Sequence, residues 1–148
     1  MTEHSRLRRC DWVRLTLIAL LCVGALLRLY NLNWDEYQHA HPDERHVTWV
    51  ATSIAWPADL SALFDPVRTT LNPFRWPPTV HPPDGEPRAF TYGHFPLYVL
   101  AGVARAASTI STAAGGPDWS DYDHIQLVGR ALSALWDTLT ILLIYLLG

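Results

Sequence analysis

Lysine is missing altogether. All 11 basic residues are arginine, against 14 acidic ones, and the 148 residues carry a formal charge of −3. A nucleic-acid binder shows a clustered basic face, so this balance excludes one. Cysteine is scarce. Cys10 and Cys22 stand alone, the second inside an apolar run, so neither a disulfide framework nor a thiolate metal site follows. No internal repeat is present. The chain also lacks the even mixing of polar and apolar residues expected of one soluble domain. Hydrophobic residues make up 49% of it, gathered in blocks. The 7 Trp and 6 Tyr are many for this length, and such aromatics favour membrane interfaces.

Residues 1–12 form a basic tail with Arg6, Arg8 and Arg9, and Arg14 follows at the edge of the first apolar run. That run, Val13 to Leu32, reaches the roughly 20 apolar residues that a bilayer requires. Its two charges, Arg14 and Arg28, lie near its ends, where arginine snorkels to the headgroups. A cleavable signal peptide competes for the same pattern, but Leu27-Arg28-Leu29-Tyr30-Asn31-Leu32 offers no small-x-small cleavage site. The expectation is a retained membrane helix with a cytoplasmic N-terminus, by the positive-inside rule. Residues 33–92 are then an extracytoplasmic loop.

The densest chemistry lies early in that loop, at His41-Pro42-Asp43-Glu44-Arg45-His46. Pro42 suits the first turn of a helix, where its missing N–H costs nothing. Asp43 and Glu44 then fall where the helix dipole favours carboxylates. A well-made helix start and a carboxylate site on a rigid helix end both fit. Apolar residues recur at Val47, Val50, Ala51 and Ile54, the period of an amphipathic helix, with Trp49 inside it, Trp56 beyond it and Pro57 as its stop. This helix lies in the interface plane or packs in a small subdomain. Asp65-Pro66, Asn72-Pro73, Pro77-Pro78 and Pro82-Pro83, with the turn Asp84-Gly85, block regular structure after it.

Residues 93–114 read as a second span, entered through Phe90-Thr91-Tyr92-Gly93-His94-Phe95-Pro96-Leu97-Tyr98. Arg105, Ser108, Thr109, Ser111 and Thr112 make it weaker than the first run, and such polar residues face protein rather than lipid. Gly115-Gly116-Pro117-Asp118 ends it, and residues 115–124 are a cytoplasmic link by alternation. Residues 125–148 are the third span. Arg130 stands near its start and Asp137 deep within it, and Gly129 and Ser133 are small enough for close helix contact.

Arg28-Leu29-Tyr30 closing a first span, followed by His41-Pro42-Asp43-Glu44-Arg45, resembles the opening of the membrane-embedded glycosyltransferases of the GT-C fold. These are lipid-carrier-dependent enzymes similar to protein O-mannosyltransferases and aminoarabinose transferases. The run Val128 to Leu135, continuing to Gly148, is similar to their third membrane helix. The resemblance implies an all-α membrane protein of the plasma membrane, multi-pass, with three spans and short juxtamembrane helices in the loop. It implies transfer of a hexosyl or pentosyl group from a polyprenyl-phosphate donor to an acceptor hydroxyl. Asp43 would be the general base and Glu44 its companion, with Arg45, His46, Tyr92 and His94 contacting substrate. In the family a basic residue before a Pro-Leu element contacts the lipid phosphate. Here His94 takes that place, and Phe95 stands where a second proline is common.

Other readings stay open at this point. Asp35-Glu36 is a rival acid pair closer to the first span. No cofactor is required, although some relatives use a divalent cation, for which His41, Asp43, Glu44 and His46 are ligand types. His41 and His46, five apart, pair poorly on a helix. The partners expected are the bilayer, the lipid-linked donor and an acceptor of unknown identity. Three spans are too few to enclose such a donor, so the chain is expected to be the N-terminal part of a longer enzyme and inactive alone. The alternatives are a small non-catalytic multi-pass membrane protein that assembles with partners, and a secreted domain behind a signal peptide.

Overall fold

The computed structural model describes residues 3–66, 68–74 and 92–148, with side chains from residue 11 onward. The expected turns at Pro77-Pro78, Pro82-Pro83 and Asp84-Gly85 lie outside the described residues, as do Phe90, Thr91 and the side chains of the basic tail. Among the described residues the chain is all-helical and has no strand. Helix α1 spans Glu3–Leu29, α2 Pro42–Ser53, α3 His94–Ala113 and α4 Tyr122–Leu147, and a single 3-10 turn occupies Leu60–Ala62. The chain divides into two compact units. One comprises Met1–Trp34 with Arg130–Gly148, the other Asp35–Gly129, so α4 begins in the second and ends in the first.

The first unit is a helical hairpin. Helix α1 stops at Leu29, short of the expected Leu32. Tyr30 N donates to Leu26 O at 2.9 Å, and Asn31 takes a left-handed φ of 51°. Asparagine tolerates that conformation and so ends helices well. Helix α4 runs antiparallel to α1. Arg130 Nη1 donates to Leu32 O at 2.6 Å, Arg28 Nε meets Asp137 Oδ2 at 3.3 Å, and Tyr145 shares an apolar groove with Trp12 and Thr16. At Gly24 the Ile141 side chain of α4 lies 3.6 Å from where a Cβ would stand, so the two helices meet there in ordinary contact.

Two helices are long and apolar enough to cross a membrane. These are the stretch Asp11–Leu29, of mean hydropathy 1.9, and Tyr122–Leu147, of mean hydropathy 1.6. Helix α3, the expected second span, is not one of them, because Arg105 and its Ser and Thr neighbours dilute its apolar residues. The antiparallel course of α1 and α4 also departs from the expected alternation. A chain that crossed once each with α1, α3 and α4 would run α4 parallel to α1. Here the ring of Trp34 and the guanidinium of Arg130 are 5.3 Å apart, so the hairpin's two junctions with the intervening segment lie at one end of it.

The second unit is built on α2 and α3. Leu97, Leu100, Ala101, Ala104 and Ser108 are buried, a spacing that marks one face of α3. Thr48, Val50 and Ala51 are the buried side of α2, and Ile125 and Gln126 at the start of α4 are buried as well. Helix α2 ends at Ser53, Ile54 N donating to Ala51 O at 3.3 Å as the extended C-cap, and Pro57 disfavours helical backbone at Trp56 beyond it. Arg105 Nη2 then donates to Ile54 O. Thr70 closes the adjoining loop, its O accepting from Ala55 N at 3.1 Å and its hydroxyl donating to Ala55 O at 2.7 Å. Past α3, Gly115 adopts φ +77° and Gly116 N donates to Ser111 O at 2.9 Å. A Cβ on Gly116 would sit 2.5 Å from the Ser111 hydroxyl and 3.2 Å from the Ser111 main-chain oxygen, so a larger residue there makes the Ser111 side chain shift.

Trp49 and Ser108 both meet the segment 118–122, the first by stacking on Tyr122 and the second through Asp118. Ile54 meanwhile reaches Arg105.

Candidate functional site

The start of α2 is organised as its residues dictate. His41 is the extended N-cap, with φ −86° and ψ 123°, and makes no side-chain cap bond. Pro42 opens the helix, and Asp43 and Glu44 occupy its first turn. Asp43 and Arg45 are exposed, whereas Glu44 and His46 are half-buried and engaged by neighbouring groups. Asp43 thus presents a carboxylate to solvent from a rigid helix end.

The rival pair is placed differently. Asp35 is buried, and its Oδ2 accepts from Ala40 N at 3.2 Å while its main-chain oxygen accepts from Gln38 N at 2.9 Å. Its carboxylate holds a turn together. Glu36, Tyr37 and His39 in that turn all have left-handed backbone, with φ of 49°, 65° and 48°. Each such residue costs roughly 1–2 kcal/mol relative to right-handed backbone. Clusters of strained backbone are found where a fold over-determines a functional feature.

That strained turn delivers His39 into the unit. The imidazole is 4% exposed, stacks on Tyr122 with ring centroids 4.2 Å apart, and has neither ring nitrogen hydrogen-bonded. Its Nε2 is 3.7 Å from Asp123 Oδ1. Trp49 of α2 stacks on the same Tyr122 at 6.2 Å, and the charge of Arg45 reaches the Tyr122 hydroxyl. Trp49 of α2, the 35–40 turn and the first turn of α4 therefore meet around one tyrosine. Beside them His124 is held by Asp121, whose Oδ1 accepts from His124 N at 2.8 Å and lies 2.8 Å from its Nδ1. The rings of Tyr37 and Trp119 flank it at 5.5 and 5.8 Å.

His39, Tyr122 and Asp123 were not singled out from the sequence. The signal that could have found them is weak: a histidine following Asp35-Glu36 and a Tyr-Asp pair at a helix start, far apart in the chain.

Tyr92 and His94 stand at the start of α3. Gly93 is the extended N-cap of α3, His94 its first residue, and Pro96 lies in its first turn. His94 is exposed and meets the Phe74 ring edge-on at 5.3 Å, Tyr92 is exposed, and Tyr98 Oη donates to Leu71 O at 2.9 Å. Asp43, Glu44, Arg45 and His46 share the first turns of α2, whereas Tyr92 and His94 stand at the start of α3.

At the α3–α4 link, Asp118 accepts hydrogen bonds from Ser108 Oγ at 2.5 Å, Ser120 Oγ at 2.6 Å and Ser120 N at 2.8 Å. These bonds, that of Ser108 foremost and then those of Ser120, hold its pKa down to about 2. Among the described residues no three His, Cys, Asp or Glu side chains gather as a metal-binding group.

No family model matches this chain, and neither a curated protein nor a solved structure is significantly similar to it.

Proposed function

We propose that this chain belongs to a membrane glycosyltransferase that moves a sugar from a polyprenyl-phosphate donor to an acceptor hydroxyl. The observation that carries the reading is the contrast between two acid pairs: Asp43 stands exposed on a helix end, and Asp35 is buried in a turn. The acceptor oxygen attacks the anomeric carbon, its proton passes to the Asp43 carboxylate, and the lipid phosphate leaves with the electrons of the broken C–O bond. General-base help of this kind contributes on the order of 10²–10⁴-fold. Glu44 orients the acceptor, and Arg45 and His46 supply hydrogen bonds and charge to the departing phosphate. Tyr92 and His94, at the start of α3, contact the phosphate of the lipid-linked donor.

In this reading α1 and α4 cross the plasma membrane and the N-terminus is cytoplasmic. The antiparallel hairpin favours two crossings over three, with residues 35–129 leaving and rejoining the bilayer on the extracytoplasmic side. Helix α2, with Trp49 and Trp56 on or near it, then lies at the membrane surface. Neither the sugar nor the acceptor follows from these residues, and a divalent cation is compatible with them.

The test is transfer of label from a polyprenyl-phosphate sugar by the full-length protein in membranes. Asp43→Asn is expected to abolish transfer at unchanged protein level. Asp35→Asn is expected to lower the amount of folded protein while activity per folded molecule persists. Retained transfer in Asp43→Asn would remove the assignment.

A further inference from the structure

We infer that His39 is a proton-operated latch: when the imidazole takes up a proton, its Nε2–H closes onto the Asp123 carboxylate and fastens the turn 35–40 to the first turn of α4. The latch stands or falls independently of the sugar-transfer reading. A hydrocarbon would serve as a buried partner for the Tyr122 ring. The fold places an imidazole there instead, 4% exposed and with neither nitrogen bonded. A neutral imidazole carries one N–H donor and one acceptor, so both go unmet. The turn that delivers it holds left-handed backbone at Glu36, Tyr37 and His39, each at a cost in strain. Packing alone accounts for neither expense. What an imidazole adds to a hydrocarbon is a change of charge near neutral pH.

The surroundings give the added proton a partner. Nε2 lies 3.7 Å from Asp123 Oδ1, too far for a hydrogen bond. The Asp123 side chain is 67% exposed, and no other side chain among the described residues holds its carboxylate, so it is free to turn inward. With a proton on each nitrogen the ring offers that carboxylate a charged donor, and charge-assisted bonds are the strong ones. The ring also lies 4.2 Å from the Tyr122 centroid, and an aromatic face attracts a cation. The neighbouring charges are engaged elsewhere. On α2 the charge of Arg45 falls on the Tyr122 hydroxyl, and in the turn itself Asp35 accepts from Ala40 N. On α4 His124 is paired with Asp121 and faces Tyr37. Asp123 is therefore the carboxylate that answers the proton. The segment so fastened leads directly into His41, the N-cap of α2, so the latch sets how firmly the start of that helix is held.

Amide hydrogen exchange of the full chain in lipid nanodiscs, corrected for the intrinsic rate of each amide, tests this between about pH 8 and about pH 5.5, where histidine titrates and carboxylates stay charged. The amides of residues 36–41 are expected to gain protection several-fold toward acid, while those from Leu100 to Ala104 in α3 stay level. Asp123→Asn, at an exposed position, is expected to abolish the gain and to leave protection at the alkaline end unchanged. Asp123→Glu, which keeps a carboxylate, is expected to retain the gain. His39→Phe is expected to lose it, and His124→Gln, which leaves His39 in place, to retain it. Protection that stays level or falls toward acid overturns the latch. So does a gain that survives Asp123→Asn, or one that disappears in His124→Gln and thereby belongs to the Asp121–His124 pair.

Discussion

The imidazole of His39 lies against the ring of Tyr122, centroids 4.2 Å apart and planes 29° from parallel, with both ring nitrogens buried and unbonded. A histidine reaches this position only because the preceding turn accepts left-handed backbone at Glu36, Tyr37 and His39 itself. The contact joins the segment before α2 to the start of α4.

Replacing His39 separates packing from polarity. His39→Phe keeps an aromatic ring on Tyr122 and removes two unsatisfied nitrogens, so thermal unfolding should show stability unchanged or raised by about 1 kcal/mol. His39→Ala leaves a cavity beneath Tyr122 and should lower stability by about 2 kcal/mol. Equal losses in both variants would mean that the imidazole itself is bonded.

The link between α3 and α4 should respond to acid. The Asp118 pKa is lowered from 3.8 to about 2, so the folded form favours the carboxylate. A depressed carboxylate pKa contributes stability that is fully present above the unfolded value and is lost as pH falls through the folded one. The window runs from about pH 4 down to about pH 2, and a carboxyl-carbon NMR titration of Asp118 should locate the lower value. Ser108→Ala removes the leading cause and should move the midpoint up toward the ordinary carboxylate value.

Packing of the second unit depends on the buried face of α3. Leu97 is 2% exposed, and Leu97→Ala should cost about 2–5 kcal/mol of unfolding free energy measured by denaturant titration. Phe95→Ala, two residues earlier at 72% exposure, should change stability by no more than about 0.5 kcal/mol.

The antiparallel hairpin makes a topological prediction. Impermeant thiol labelling of single cysteines at Thr2 and Gly148 should place both on one side of the membrane, and a cysteine at Ser61 should label from the other. Labels at residues 2 and 148 on opposite sides would restore a single crossing by α3.

Local rules determined much of this molecule. Pro42 with Asp43 and Glu44 starts α2, Pro57 lies just past its end, and the Val47–Ile54 periodicity holds between them, because caps and helical period act within a few residues. The same holds for the end of α3 at Gly115-Gly116 and for the two apolar helices whose length and hydropathy suit a bilayer. Tertiary structure decided the remainder. Hydropathy states that a run is apolar, and alternation assumes that every such run crosses. Neither tells which helix α4 meets or in which direction, and the Arg28–Asp137 and Leu32–Arg130 contacts do. Composition likewise treats Asp35-Glu36 and Asp43-Glu44 as equals. One carboxylate is buried against Ala40 N and the other faces solvent because backbone conformation, set by packing across the unit, aims them differently.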